Sequence, residues 1–564
     1  MRMSTDENRD GELALETIAA ATGAGITVFD TAHAYGRDAS ELGHNEGLLA
    51  RGLRECGAHA TARVVTKGGM TRAGGGWAPD GRAKTIRADC EGSLAALDGL
   101  PIDLYLIHAP DPRTAWRTSV RALARLVDDG VVSRVGLANV NRGQLDEALA
   151  LAPIAAVQVA LSPHDDRALR GGVVDRCAET GIAVIAHSPL GGPRRAGRLG
   201  SMQPLADVAD ARGATPAEVA LAWLLELSPI VVAIPGARRP ETARSAARAA
   251  RLTLEAGDKT ALAGAFGGPR PARVKRRPAK DTEVVLVMGV PGAGKSRLTE
   301  DYVARGYRRL NRDERGGSLR QLAEALGEEL SLGIHRVVLD NTYLTRAARS
   351  YVVEAASRHQ ARIRCIWLDT PLAQAQVNIV ERLLERFGAL PTPQELLERA
   401  RREPGVLAPT SQMRAFRELE PPSTDEGFAD VEKVPFVRKA ASTQGKEGIF
   451  VAAAALRQTS WEHVLEHEDR SAPHLIFDWS PHGAADELAA LTDRLSAEIA
   501  GQAESALCPH PAGPPTCWCR PPLPGLPLAF ARAHGVDPSR SLVIGSSSAH
   551  KTLATTLGAR YITA

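Results

Sequence analysis

Asp30 and Tyr35 close the apolar run ITVFDTAHAYG (26–36), Lys67 closes RVVTKGG (63–69), and His108 closes LYLIHAP (104–110). A free phenol, with a pKa of about 10, is a poor acid or base at neutral pH. An ammonium beside it stabilises the phenolate and lowers that pKa. A carboxylate paired with the ammonium keeps it in place. These side chains are what carbonyl reduction needs from a protein. Tyr35 would be the acid/base for the forming alkoxide, Lys67 its tuner, Asp30 the partner of the lysine, and His108 the donor that orients the carbonyl.

Two further sets carry chemistry. EVVLVMGVPGAGKSRL holds Gly289, Gly292, Gly294, Lys295 and Ser296 straight after a β-rich run. In a strand–loop–helix context the glycines let backbone N–H groups wrap phosphates, the lysine reaches the β and γ oxygens of ATP, and the serine ligates Mg2+. CPHPAGPPTCWCRPPLPG (508–525) holds Cys508, His510, Cys517 and Cys519. Three thiolates and one imidazole make a closed tetrahedral Zn2+ set.

These residues need elements to position them. In the first 268 residues, seven short apolar runs alternate with amphipathic stretches: 26–32, 63–69, 104–110, 132–139, 155–163, 183–189 and 230–236. TPAEVALAWLLEL (215–227) opens with Thr215 and Glu218 in capping-box spacing and Pro216 at the first helical position. Alternation of this kind predicts an α/β fold with a parallel sheet, closed as a (β/α)8 TIM barrel. Strand C-terminal ends then open onto one mouth, which is where such barrels place their sites. Only seven strands are counted, so the first is expected upstream of residue 1. The open edge that results predicts low stability for this segment.

A Pro/Gly-rich basic stretch, GGPRPARVKRRPAK, reads as a linker. The expected division is a barrel over 1–268, a linker over 269–281, a P-loop α/β domain over 282–438 and a small Rossmann-like domain over 446–564. The chain has 564 residues, 44% of them apolar and 24% charged, with a net charge of +3, so a polyanion binder throughout is disfavoured. Seven cysteines in this length are too few for a disulfide scaffold. No apolar run of 18 or more residues is present and the start is no signal peptide, so a cytoplasmic location without membrane partners is expected.

The order of Asp30, Tyr35, Lys67 and His108, with DTAHAYG, TKGG, LIHAPDP, GLANV, HSPLGG and IPGARRPE, resembles the aldo-keto reductases over nearly all of 1–255. The resemblance implies an NADPH-dependent reductase of small carbonyl compounds. It implies that Asn139 and Gln158 hold the nicotinamide amide, that Ser188, Leu190 and Gly191 belong to a pyrophosphate loop, and that Arg238 and Arg239 lie near the 2′-phosphate. Two positions depart from the family. Ala138 stands where a serine is usual and His187 where an aromatic stacks on the nicotinamide, so one hydrogen bond is lost and the stacking is weaker.

In the second segment, RRLNRDERGG (308–317) and RVVLDNTYLTRAAR (336–349) look like the kinase half of phage and animal polynucleotide kinases. FRELEPPSTDEGFADVEKVPF (416–436) resembles the tail of the animal kinase domain. The resemblance implies ATP with Mg2+, Asp313 as the base for a nucleic-acid 5′-hydroxyl, and Arg315 one residue short of the family's arginine position. Asp340, Asn341 and Thr342 match its D-N-T. Arg382 and Arg386 lie four apart on one helix face, which suits an arginine lid.

The third segment resembles the zinc loop of histidinol-phosphate and heptose-bisphosphate phosphatases of the haloacid dehalogenase superfamily, and 536–562 resembles that superfamily's last motif. Its chemistry is missing: no D-x-D pair appears, HLIFDWSP offers only Asp478, Pro521 replaces a lysine, and Ser546 and its neighbours replace Mg2+-binding acids. The leading expectation is a reductase fused to an ATP-dependent kinase. The alternatives are a nucleic-acid 5′-end repair kinase carrying two non-catalytic binding modules, and a nucleotide-sensing scaffold.

Overall fold

The computed structural model describes residues 2–268, 282–437, 445–457 and 469–564. The expected linker, 269–281, lies outside them. The chain divides into two compact units, Met1–Lys275 and Arg276–Ala564.

The first unit is built on one parallel sheet in sequential order: β1 (Val28–Asp30), β2 (Arg63–Gly68), β3 (Leu104–Ile107), β4 (Val135–Ala138), β5 (Ile154–Ala160), β6 (Ala183–His187) and β7 (Val231–Ile234). The central strands are buried on both faces, as in β3, where all of LYLI is buried. Val65, Leu104, Leu106, Ala156 and Ile185 form a small inner core. A larger core lies between the strands and the helices. Among the described residues β1 does not pair with β7, so no eighth strand closes the sheet, and Val28 and Val232 at these edges are 45% and 43% exposed. The helical layer is continuous across that gap, because the Gly11–Gly23 helix packs on the Pro240–Ala249 helix. The Pro216–Glu226 helix has the expected capping box, with Glu218 donating nothing and accepting from Thr215 N. The same carboxylate accepts from Ser245 and Arg248, which ties the cap to the next helix.

The second unit holds two five-stranded parallel sheets. One has the order β9-β10-β8-β11-β12, with β8 (Glu283–Met288), β9 (Arg308–Asn311), β10 (Arg336–Asp340), β11 (Arg362–Asp369) and β12 (Asp430–Pro435). β8 is central, flanked by β10 on one side and β11 on the other, so the strand order changes direction beside it. The buried Arg349 guanidinium clamps the end of this domain, donating to Glu426 Oε1 and Oε2 at 2.6 and 2.7 Å and to Glu420 O at 2.9 Å. The other sheet has the order β15-β14-β13-β16-β17, with β13 (Ile449–Ala452), β14 (His474–Trp479), β15 (Ala503–Cys508), β16 (Leu542–Gly545) and β17 (Arg560–Thr563). The sheets do not have separate cores throughout. Val377, Val380 and Leu383 of the Leu372–Phe387 helix share one apolar cluster with Phe450, Phe477, Trp518 and Phe530.

Candidate functional site

At the mouth of the first unit, the chain leaving β1 keeps running beside β2, with Thr31 N bonded to Val65 O at 2.8 Å and His33 N to Lys67 O at 3.0 Å. This carries Tyr35 over the end of the lysine strand. Gly36 follows because a Cβ there would lie 2.4 Å from Glu41 O. The Lys67 ammonium is fully buried and donates to Asp30 Oδ1 at 2.7 Å, Thr31 O at 2.6 Å and Tyr35 Oη at 3.4 Å. Gln158 Nε2 donates to the second oxygen of Asp30 at 2.7 Å. The His108 ring meets Tyr35 edge-on, with centroids 5.6 Å apart. Its Nδ1 is buried and has no hydrogen-bond partner among the described residues.

Burial dominates the electrostatics here. It pulls the Lys67 ammonium down, but Asp30 and Tyr35 more than offset this, and the group is held above the ordinary lysine value. Burial pushes the Tyr35 phenol up, and the charge of Lys67 reduces the rise without cancelling it. The phenol is therefore a weaker acid than the lysine alone would make it, and it holds its proton at neutral pH. His108 is pushed down to about 3 by burial, helped by Lys67 and His187, so its imidazole is neutral.

Arg72 and Trp77, from the glycine-rich loop after β2, were not read from the sequence. Trp77 stands 6.1 Å from both Tyr35 and His108, and the Arg72 guanidinium lies 3.9 Å from its ring centre. Arg72 also donates to Gly36 O at 3.0 Å and Arg37 O at 2.6 Å, which fixes the turn behind Tyr35. A tryptophan amid glycines directly after a functional strand was the available signal.

Asn139, at φ 58°, bridges the mouth: its Nδ2 donates to His108 O at 3.0 Å and its Oδ1 pairs with His187 Nε2 at 2.9 Å. Ser188 also has a positive φ, and Gly191 N donates to Ser188 O at 2.8 Å. Leu190 packs against the outer core. Arg239 precedes the Pro240–Ala249 helix, whereas Arg238 is ion-paired with Asp6 at 2.7 Å.

In the second unit the loop after β8 has Gly289, Gly292 and Gly294 at φ 154°, 85° and 92°. A Cβ on Gly292 would lie 2.4 Å from Ala375 O, so the loop presses on the Leu372–Phe387 helix. Lys295 Nζ donates to Gly289 O and Val290 O, each at 3.0 Å. Burial brings its pKa down to about 8, with Asp340 and Asp313 opposing and Arg382 assisting. Ser296 is exposed at the start of the Lys295–Ala304 helix. Asp313 is half-exposed, and its N–H is capped by Asn311 Oδ1 at 2.7 Å. Asp340 is buried and receives Arg309 Nη2 at 2.8 Å and Asn311 Nδ2 at 2.7 Å. The two arginines expected to form a lid are engaged differently. Arg382 donates to Gly405 O at 2.7 Å within the field of Asp313, whereas Arg386 pairs with Glu403 at 2.6 Å.

The donor atoms of Cys508, His510, Cys517 and Cys519 lie within 4.8 Å of one another. Cys508 Sγ is 3.7 Å from Cys517 Sγ and 3.2 Å from Cys519 Sγ, and His510 Nδ1 is 3.2 Å from Cys519 Sγ. Ligands about 2.0–2.3 Å from a central ion stand roughly 3.5 Å apart, so this donor set fits a tetrahedral ion. On β14, Asp478 is bonded to Arg457 at 2.7 Å, while β13 runs into buried Ala453.

Comparison with known proteins separates the two units. The aldo/keto reductase family matches residues 2–264, and an AAA domain matches 284–404. The aldo-keto reductase str7 of Strobilurus tenacellus is 30% identical over 249 residues, covering 39% of this chain and 71% of that protein. The probable aldo-keto reductase 1 of Glycine max is 32% identical over 242 residues, covering 38% and 67%. Among solved structures, the thermostable aldo-keto reductase Tm1743 with the inhibitor epalrestat is 29% identical, covering 46% of this chain and 90% of that one at a TM-score of 0.40. An aldo-keto reductase of Klebsiella pneumoniae in complex with NADPH is 23% identical, covering 48% and 89% at a TM-score of 0.40. The matched family, the two relatives and the mouth of the first unit agree, and this chain belongs to the aldo/keto reductase family.

Proposed function

We propose that the first unit is an NADPH-dependent reductase of small carbonyl compounds. The observation that carries this is the buried Lys67–Asp30 pair beneath the Tyr35 hydroxyl. NADPH, when bound, supplies the hydride. Tyr35 Oη delivers the proton to the carbonyl oxygen as charge develops there, and the Lys67 ammonium stabilises the phenolate left behind. Asp30, fixed from its other side by Gln158, keeps the ammonium charged and aimed. His108 Nδ1, buried without a partner, marks a polar position that the substrate or nicotinamide side of the mouth would satisfy. Asn139 and Gln158 would meet the nicotinamide amide, Ser188, Leu190 and Gly191 the pyrophosphate, and Arg238 and Arg239 the 2′-phosphate. Steady-state oxidation of NADPH with an aromatic aldehyde tests the reading. Lys67→Met should abolish it, and turnover that survives this change would refute the assignment.

The second unit, read as domains 282–438 and 446–564, is proposed to bind ATP with Mg2+ and to transfer phosphate. Support comes from the glycine φ values and from a Lys295 ammonium that meets only carbonyl oxygens in its own loop. Lys295 and the loop amides would hold the phosphates, Ser296 would ligate Mg2+, and Arg382 would face the transferring group. Asp313, whose backbone N–H is held by Asn311, would accept a proton from an acceptor hydroxyl such as a nucleic-acid 5′ end. ATP-dependent labelling of a 5′-hydroxyl oligonucleotide, compared with Asp313→Asn, decides the acceptor. The cysteine cluster is proposed to hold Zn2+ in a phosphatase-like lobe that lacks a nucleophile. One equivalent of zinc in purified protein, lost in Cys517→Ser, is the expected result.

A further inference from the structure

Trp518 stands between Cys517 and Cys519, is 1% exposed, and heads the fully buried side chains in size. It does not serve its own lobe alone. Its indole Nε1–H donates to Leu407 O at 3.0 Å, a carbonyl of the P-loop domain. The loop is pressed tightly there, since a Cβ on Gly525 would lie 2.4 Å from Trp518 O and 2.9 Å from Leu390 Cδ1. Leu407 is a junction. Just before it, Gly405 O and Pro404 O accept from Arg382 and Arg386. Just after it begins the Pro409–Glu418 helix, whose buried Gln412 donates to Pro291 O in the phosphate loop at 3.1 Å. Asn378, on the helix that packs against Trp518, donates to Gly292 O at 2.8 Å.

We propose that a thiolate-binding metal ion, held by Cys508, His510, Cys517 and Cys519, braces the nucleotide site, with Trp518 as the positioning residue that transmits the loop's geometry through Leu407 to Arg382 and Gln412. The inference rests on the reading of the P-loop as a nucleotide site and of the cluster as a metal site. The Cys-rich loop is short and rich in proline and glycine, so the ion is what fixes its shape. Without it the indole loses its seat, segment 403–408 loses an anchor, and the carbonyl that holds Arg382 is free to move. The route is a contiguous chain of packed and hydrogen-bonded groups, none of which touches nucleotide except at its end.

The test uses the full chain, either zinc-loaded or stripped with a chelator, and reads two quantities: the Kd of a fluorescent ATP analogue, and amide hydrogen exchange over 403–412. Stripping zinc should weaken nucleotide binding roughly tenfold or more and speed exchange in that segment. Trp518→Phe keeps an aromatic ring and the metal but removes the N–H donor and some packing, and should weaken binding about threefold while zinc content is unchanged. In Arg382→Ala the response to zinc should largely vanish, which general unfolding would not produce. Binding that still depends on Lys295 but ignores both zinc and Trp518 overturns the brace and leaves the nucleotide site standing. No Lys295-dependent binding in zinc-loaded protein overturns both, and failure to retain zinc overturns the proposal at its first step.

Discussion

Lys67 and Lys295 are placed in opposite ways. Lys67 has a carboxylate at 2.7 Å and lies above the ordinary lysine value, whereas Lys295 is bonded only to carbonyls at 3.0 Å and is brought down to about 8. A buried cation with its own anion is a finished part of a site. A half-buried cation without one is stabilised by whatever anion arrives. On the proposed reading, the barrel mouth is pre-assembled for chemistry on a neutral carbonyl, and the loop after β8 is left to receive phosphate.

Asp30→Asn leaves Lys67 buried without a counter-charge and should lower carbonyl reduction about 10²–10⁴-fold, the range that positioned acid–base groups contribute. Lys295→Met should abolish ATP binding in equilibrium dialysis and leave aldehyde reduction unchanged. A loss of reduction in the Lys295 variant would mean that the two sites are not independent.

The next effect concerns ATP affinity against pH. Lys295 must be charged to hold phosphate, and in the free protein it loses its proton through about pH 8. Affinity should therefore be level below that value and fall by up to tenfold per pH unit above it, measured by fluorescence titration. Affinity flat to pH 10 would place the lysine elsewhere.

A smaller effect appears in stability. The Lys295 pKa is lower folded than unfolded, so the unfolded chain binds more protons between about pH 8 and 10.5 and the second unit should gain stability across that window, by about 1–3 kcal/mol. Lys67 is raised, so its contribution is fully present below the unfolded value of 10.5 and is lost only above it. Denaturant unfolding at several alkaline pH values separates the two signs. The smallest effect is on the reductase: with His108 near 3 and Tyr35 above its ordinary value, kcat/KM should be flat from about pH 5 to 9.

Much of this arrangement was legible in the chain. Strands buried on both faces read as apolar runs, and the polar residue that ends each run is where the sheet opens, so Asp30, Lys67 and His108 stood out. The Thr215 cap and the glycines around Lys295 are local signals set by backbone geometry. The rest depends on pairs brought together through space. Gln158 holds Asp30 from 128 positions away, Arg349 reaches Glu426 across 77, and Trp518 reaches Leu407 across 111, and no periodicity announces such contacts. The net rise of the Tyr35 pKa was missed for a related reason: adjacency to a lysine is visible in a motif, but the depth of burial that outweighs it is not.

In the proposed mechanism, Tyr35 gives the proton in a site already assembled around Lys67. Single-turnover oxidation of bound NADPH by an aromatic aldehyde, compared between the native chain and Tyr35→Phe, tests it most directly. The variant should still bind NADPH, with the oxidation rate lower by about 10²–10⁴-fold. An oxidation rate within a few-fold of the native chain would contradict it.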